Sequence, residues 1–335
     1  PCYPQPQKMM NATSSSSCFT LLSSIALAMI AGTAALVVQY QQKSKSILKT
    51  NNKAMIVIKF GGAAITEKKA RGVLNEAALR LCCDGIASAW SKAASVVVIH
   101  GAGSFGHSEA KENSVHLGRN KNEFGFSLTR QAVTRLNSIV VNQLIDRGVP
   151  AVAISPFAAR QGLTEAVTNA IDMGLLPVTH GDAVFDFDQY AILSGDDILE
   201  QLCTGAVVKR AIFVSDIPCV YDRDPASSNA KRISHILVNE KDRSLRQFLL
   251  PEDEIPKDDK DESRAREAVP DVTGGMAAKL RAATNAAKNG VPVRVLNAQS
   301  LQSALELNDS AFASVTLVPQ VGTLLIASPD RESQK

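Results

Sequence analysis

The sequence predicts an α/β fold with a mainly parallel central sheet and helices on both faces. Three observations carry this: short unbroken apolar runs, glycine pairs or loops directly after them, and helical periodicity between them. Met55–Phe60 is the first such run, a buried-strand pattern ending in Gly61-Gly62. Residues 74–89 repeat apolar positions at helical spacing through Leu74, Ala77, Ala78, Leu81 and Ile86. Residues 95–99 read as a second buried strand, followed at once by a glycine loop over 101–106. Residues 127–145 read as a long amphipathic helix that stops at Asp146-Arg147-Gly148. Strands are expected at 149–154 and 176–179. Residues 183–193 alternate through Phe185, Phe187 and Tyr190 and read as a hairpin. A helix over 198–208, a strand over 211–214, a helix over 277–289, a strand over 291–296 and a last edge strand over 322–326 complete the pattern.

The chain has 335 residues, 45% hydrophobic and 21% charged, enough for a sizeable packed core. A net charge of +3, with no aromatic-interleaved basic stripe, gives no case for a nucleic-acid partner. Six cysteines show neither metal-type spacing nor a disulfide framework, and Cys82-Cys83 falls inside a helical pattern as core packing. The expected domain map is a disordered start over 1–17, an apolar segment over 18–38, a linker over 39–53, one α/β domain over 54–328, and a tail over 329–335. No charged residue lies in 18–38, and that length of helix spans roughly 30 Å, about one hydrocarbon thickness. Lys43, Lys45, Lys49 and Lys53 follow it, so a retained anchor would leave the α/β domain facing the cytosol. A cleaved targeting sequence, or residues foreign to the natural product, are the rival readings, since Met9 or Met10 can serve as the start. Residues 226–270 break the strand–helix rhythm with dense charge and read as a solvated surface insertion.

Chemistry concentrates at the ends of the strands. A strand that ends in Gly61-Gly62 offers backbone N–H groups that a phosphate can approach closely. Lys59, one residue before that turn in an apolar run, is costly to bury without an anionic partner. Lys68 or its neighbour Lys69 can reach the same crevice from the next segment. Gly101, Ala102 and Gly106 belong to a second glycine loop, and ligands of open α/β sheets sit beyond the carboxyl ends of strands. His107 closes that loop. A phosphate monoester is largely dianionic at neutral pH, so as a phosphoryl acceptor it needs donors that offset anion–anion repulsion rather than a base. A histidine in this place suits that task. Gly195, in Gly195-Asp196-Asp197, can meet a ligand oxygen while Asp197 caps the next helix. Gly275 and Lys279 form a glycine–lysine set at a helix N-terminus, suited to the phosphates of a nucleotide triphosphate. Asp216, Asp222 and Asp224 are candidates for the nucleotide's ribose or adenine side. His100, His116, His180 and His235 have no comparable context. No metal-ligand set is assigned.

Together these segments resemble the amino acid kinase superfamily, and within it the isopentenyl phosphate kinases, over about residues 55–326. The resemblance rests on Lys59-Phe60-Gly61-Gly62 with Ile65-Thr66-Glu67-Lys68, on the loop ending Ser104-Phe105-Gly106-His107, on Ser194-Gly195-Asp196-Asp197, on 215–225 and on 271–279. It implies an open αβα sandwich, a homodimer, and transfer of the γ-phosphate of ATP, with Mg²⁺, to isopentenyl phosphate in isoprenoid biosynthesis. By motif position, Lys59 and Lys68 would contact the transferring phosphate and His107 the acceptor's phosphate. Gly106 and Gly195 would line the acceptor site, while Gly62, Ala102, Asp216, Gly275 and Lys279 would lie on the ATP side. Ala63-Ala64 stands where the family often has Ser or Thr. An apolar pocket for the acceptor's tail is expected beside His107, with 74–89 and 127–145 as candidate walls. The alternatives are a superfamily kinase acting on a carboxylate, carbamate or nucleoside monophosphate, and a catalytically silent, membrane-tethered nucleotide sensor.

Overall fold

A computed structural model of the chain describes residues 54–91, 95–117, 122–159, 162–186, 189–239, 245–249, 275–314 and 321–327. The compact unit that contains them begins at Lys53. The expected disordered start, apolar segment, linker and C-terminal tail lie outside the described residues. Among the described residues, no helix is long and apolar enough to cross a membrane.

Among the described residues nine strands form one sheet, in the order β3 (Ala151–Ala153), β4 (Leu176–His180), β2 (Val96–His100), β1 (Met55–Phe60), β7 (Val208–Ser215), β10 (Val293–Asn297), β11 (Thr323–Ala327), β8 (Ile233–Val238) and β9 (Leu245–Leu249). Its centre is β1 (Met55–Phe60), paired in parallel with β2 (Val96–His100) on one side and β7 (Val208–Ser215) on the other. β4 (Leu176–His180) and β3 (Ala151–Ala153) continue the sheet beyond β2, again in parallel. All six side chains of β1 are buried, because both faces of a parallel sheet are covered. Ile56, Ile58 and Phe60 pack under α2 (Glu76–Ser91), α4 (Glu123–Ile145) and α9 (Ala298–Glu306). Met55 and Val57 pack on the other side, under α6 (Leu163–Asp172), α7 (Gly195–Gly205) and α8 (Gly275–Lys288). Two apolar cores therefore sandwich the sheet.

Several boundaries move from the sequence reading, each for a local reason. Leu74 is held in an antiparallel bridge with Thr66, and α2 starts only after Asn75, whose side chain accepts from the Ala78 N–H at 3.1 Å. α4 starts four residues early because Asn122 caps it, accepting from the Gly125 N–H at 2.7 Å. The expected loop over 101–106 is mostly helix: α3 runs Gly103–Glu112, and His107 stands on it. The helix expected over 198–208 is α7, capped by Ser194, and Val208 already belongs to β7.

The expected edge strand β11 (Thr323–Ala327) is interior, antiparallel to β10 (Val293–Asn297) and parallel to β8 (Ile233–Val238). β8 and β9 (Leu245–Leu249) lie in the stretch read as a solvated insertion and instead extend the sheet; residues 250–274 are outside the described set. The short α1 (Gly62–Ile65), α5 (Pro156–Ala159) and α10 (Asp309–Phe312), together with α6 and α9, had no counterpart in the sequence reading. Cys82 and Cys83, on α2, are buried in the core, and burial pushes the Cys83 thiol up to about 12. β5 (Asp182–Asp186) and β6 (Gln189–Leu193) form the expected antiparallel hairpin, separate from the main sheet.

Candidate active site

The carboxyl ends of β1, β2 and β4 converge on a cavity of about 180 Å³. The two glycine segments meet there without side chains between them. A Cβ on Gly62 would lie 2.5 Å from the Gly103 N, and one on Gly101 would lie 2.8 Å from the Gly62 N. Thr66 ties them, its hydroxyl donating to the Gly62 carbonyl at 2.8 Å and accepting from the Ser104 N–H at 2.9 Å. Three helices of ten or more residues, α3, α7 and α8, begin at this place, and Ala102, Ser194, Gly195 and Gly275 at their starts line the cavity. Their positive ends favour an anion.

Lys59 lines the same cavity and is buried. Its Nζ pairs with Asp196 Oδ1 at 2.7 Å, in the first turn of α7. Lys279 Nζ donates to Ser215 Oγ at 3.1 Å; burial first, then the charge of Lys59, lowers its pKa. Two ammonium groups thus face one cavity with one carboxylate between their charges. His107, on the cavity-facing side of α3, has its pKa lowered by the atoms packed around it and then by Lys59, with Asp196 opposing. The ring is therefore neutral at pH 7 and presents an N–H without adding a fixed charge.

Of the residues singled out from sequence, Lys59, Gly62, Gly101, Ala102, Gly106, His107, Gly195, Gly275 and Lys279 all line this cavity. Lys68 and Asp216 do not. They pair with each other at 2.5 Å on the β7 side, with the Lys68 side chain 65% exposed. Burial works against the Asp216 carboxylate, yet the Lys68 hydrogen bond and the Lys68 and Lys279 charges hold its pKa below the ordinary value. Gly61 sits behind the turn, its N–H bonded to the Val214 carbonyl at 2.7 Å. Asp222 and Asp224 hold their own loop: Asp222 accepts from Arg223 and from the Lys231 N–H at 2.8 Å, and Asp224 accepts from the Ala226 N–H at 2.9 Å. Asp197 accepts from the Ser194 hydroxyl, while its own N–H bonds back to that oxygen, a reciprocal helix-start cap.

The cavity's far wall is apolar, formed by Ala110 of α3, Val133 of α4, and Ile192 and Leu193 of the hairpin. Of the two helices expected to line a tail pocket, only α4 does; α2 packs in the same core as α4 but contributes no residue to the cavity. Gly106 is where α3 and α4 touch, since a Cβ there would lie 2.3 Å from Val133 Cγ1. Sequence reasoning gave Asp196 no role, although an acidic pair directly after Ser-Gly at a helix start was a readable signal. It also passed over Asp182 and Thr129, which nothing in the linear pattern distinguishes from surface residues. His100 and His180 are buried behind the cavity. Their rings stack at 5.5 Å, and each Nδ1 donates to the following glycine carbonyl, Gly101 at 3.0 Å and Gly181 at 3.1 Å.

Residues 54–297 match the model of the amino acid kinase family. The chain is 37% identical over 234 residues to an isopentenyl phosphate kinase of Arabidopsis thaliana, covering 65% of this chain and 69% of that protein. It is 31% identical over 265 residues to an isopentenyl phosphate kinase of Methanothermobacter thermautotrophicus, covering 73% and 91%. A solved product complex of the T. acidophilum isopentenyl phosphate kinase aligns with TM-score 0.60 at 20% identity, covering 81% of this chain and all of that one. A carbamate kinase from Giardia lamblia bound to AMP-PNP aligns with TM-score 0.57 at 11% identity, covering 82% and 99%. At such identities the structural likeness speaks for the fold alone. The family model and the two sequence relatives speak for descent: this chain belongs to the amino acid kinase family.

Proposed function

We propose that the protein transfers the γ-phosphoryl group of ATP to isopentenyl phosphate, giving isopentenyl diphosphate and ADP. The observation that carries this reading is the composition of this cavity: donors for a phosphate at one end, and an apolar wall of Ala110, Val133, Ile192 and Leu193 at the other. A short hydrocarbon ester of phosphate matches both ends, whereas a carboxylate or nucleotide acceptor would leave the apolar wall facing polar atoms. The names of the sequence relatives support the same acceptor.

In this reading the acceptor phosphate lies between His107 and the starts of α3 and α7, with Gly101, Gly106 and Gly195 lining its site. The phosphate oxygen attacks the γ-phosphorus, the bond to the β,γ-bridging oxygen breaks, and ADP leaves with that electron pair. Lys59 neutralises charge on the transferring group, held in place by Asp196. Lys279 and the start of α8 face the nucleotide phosphates, and Lys68 with Asp216 borders the nucleotide side. Because the attacking oxygen is already anionic, no protein base is required. Among the described residues no three His, Cys, Asp or Glu side chains group as metal ligands. Mg²⁺ accompanying ATP would then be held by phosphate oxygens and water, supplying charge neutralisation. We further hold that the protein is a homodimer with its catalytic domain facing the cytosol, readings that come from the family resemblance and from the lysines after residue 38.

Incubation of the full chain with ATP, Mg²⁺ and isopentenyl phosphate tests the proposal. ADP and isopentenyl diphosphate should form in equal amounts. ATP binding without ADP formation would favour a nucleotide sensor, and turnover only with carbamate, a carboxylate or a nucleoside monophosphate would favour the other kinases.

A further inference from the structure

The hairpin wall of the cavity is anchored at a point whose charge is poorly compensated. Asp182 opens β5, and its side chain is fully buried. Oδ1 accepts from the Ala183 N–H at 2.9 Å, but Oδ2 accepts no hydrogen bond from any described residue. The nearest cation, Arg130 of α4, stands 3.5 Å away. Arg130 is also committed elsewhere: Nη2 reaches Ser155 Oγ at 3.4 Å, and the guanidinium lies 3.9 Å over the Phe157 ring. A buried carboxylate with one backbone donor and one long ion pair recovers only part of its lost hydration.

The other titratable groups on the elements around Asp182 have their own engagements. His180 of β4 is neutral, with its pKa lowered to about 3 by burial and by His100. Tyr190 of β6 bonds Glu123 of α4, and Asp196 of α7 pairs with Lys59. Arg130 is thus the charge that faces Asp182. Besides this anchor and the Tyr190–Glu123 bond, the hairpin packs through Ala183, Phe185 and Tyr190 on Phe126 and Phe157, and among the described residues it forms no ladder with the main sheet.

We propose that Asp182 is a positioning residue that sets how readily the β5–β6 hairpin opens: protonated, it lets the hairpin close over the acceptor's tail, and ionised, it drives the hairpin toward an open form in which the carboxylate is hydrated. Burial raises the Asp182 pKa to about 7, with Arg130 and the Ala183 N–H opposing. The closed form therefore binds a proton that the open form, with an ordinary carboxylate, releases. Opening becomes easier as pH rises from about 4, the ordinary carboxylate value, to about 7, by up to about tenfold per pH unit for one proton, and levels off above that. This inference rests on the acceptor reading above for its functional consequence, but not for its structural one.

Hydrogen exchange of the full chain, expressed as protection factors, tests the structural part without substrate. Protection of the β5–β6 amides should fall about tenfold between pH 5 and pH 6 while that of β1 does not fall, and Asp182→Asn should remove the slope. In steady-state kinetics, the wild-type KM for isopentenyl phosphate should rise over the same range, against the trend set by the acceptor phosphate's own ionisation. The KM for ATP should not move, and the Asn variant should lack the rise. Hairpin protection independent of pH in the wild-type protein overturns the proposal, whether or not the variant folds. An unchanged KM profile in a folded Asn variant overturns its functional part. If isopentenyl phosphate is not turned over at all, the acceptor reading falls and the exchange data still decide the hairpin.

Discussion

Lys59 Nζ lies 2.7 Å from Asp196 Oδ1, so the strand-end ammonium is neutralised by the first turn of α7 before any phosphate arrives. The pair is nearly buried, with side-chain exposures of 5% and 12%. Asp196 therefore fixes Lys59 in the cavity and lowers the cost of keeping it there. Asp196→Asn leaves that ammonium without its partner and free to shift toward bound anions. We expect kcat to fall on the order of a hundredfold, with a smaller change in either KM, since the loss concerns charge placement on the transferring group. Steady-state kinetics checks this; a variant within twofold of wild type would show that Asp196 has no such role.

The sheet's parallel half was legible because β1, β2, β4 and β7 each carry a buried apolar run, over residues 55–58, 96–99, 176–178 and 211–214. The antiparallel extension was not. β8 and β9 sit beside dense charge, and β8 carries Ser234 and His235 within the strand, so periodicity gave no clear signal. α6 was readable from Leu163, Val167 and Ile171 at helical spacing, but Gln161-Gly162 before it and the short α5 obscured its start. At the site, glycines and lysines at strand ends announced themselves. Asp182 did not, because its chemistry comes from burial against Arg130, fifty-two positions earlier, and no local pattern encodes that.

Gly106 provides a steric test of the acceptor wall. A methyl there would meet Val133 Cγ1 at 2.3 Å and Ala102 Cβ at 2.9 Å, pushing α3 away from α4. Gly106→Ala should destabilise the fold by about 1–3 kcal/mol and raise the acceptor KM more than the ATP KM. Val133→Ala in the same chain should recover part of both losses, because it removes the nearer contact. Thermal unfolding with kinetics on the single and double variants measures the coupling; strict additivity would refute the contact.

Acid should unfold this domain through His100 and His180. Burial lowers His100 to about 4 and His180 to about 3, each well below an unfolded histidine near 6.5. The unfolded chain thus binds more protons, and stability falls as pH drops below about 6.5, levelling off only beneath the folded values. The loss attributable to His100 is on the order of 3 kcal/mol by pH 4. Denaturant midpoints at pH 7, 5.5 and 4.5 test this, with His180→Phe expected to show a shallower slope than wild type.

The Lys68–Asp216 pair borders the nucleotide side and bridges the β1–α2 segment to β7. Asp216→Ala releases Lys68, whose side chain is 65% exposed, and removes a carboxylate near Lys279. The expected result is a rise of about fivefold in the ATP KM with the acceptor KM unchanged, the size carried by a partly exposed ion pair. Equal movement of both constants would point to a general disturbance of the sheet ends instead.

His107 decides the class of acceptor. Its ring is neutral at pH 7, so it serves as a hydrogen-bond donor to an acceptor phosphate rather than as a standing cation or a base. His107→Ala should lower kcat/KM for isopentenyl phosphate about a hundredfold, with little change in the KM for ATP. His107→Gln, which keeps an N–H donor on an uncharged side chain, should restore part of that loss. A carboxylate- or carbamate-directed kinase would tolerate both substitutions, because its acceptor presents no dianionic phosphate at that position.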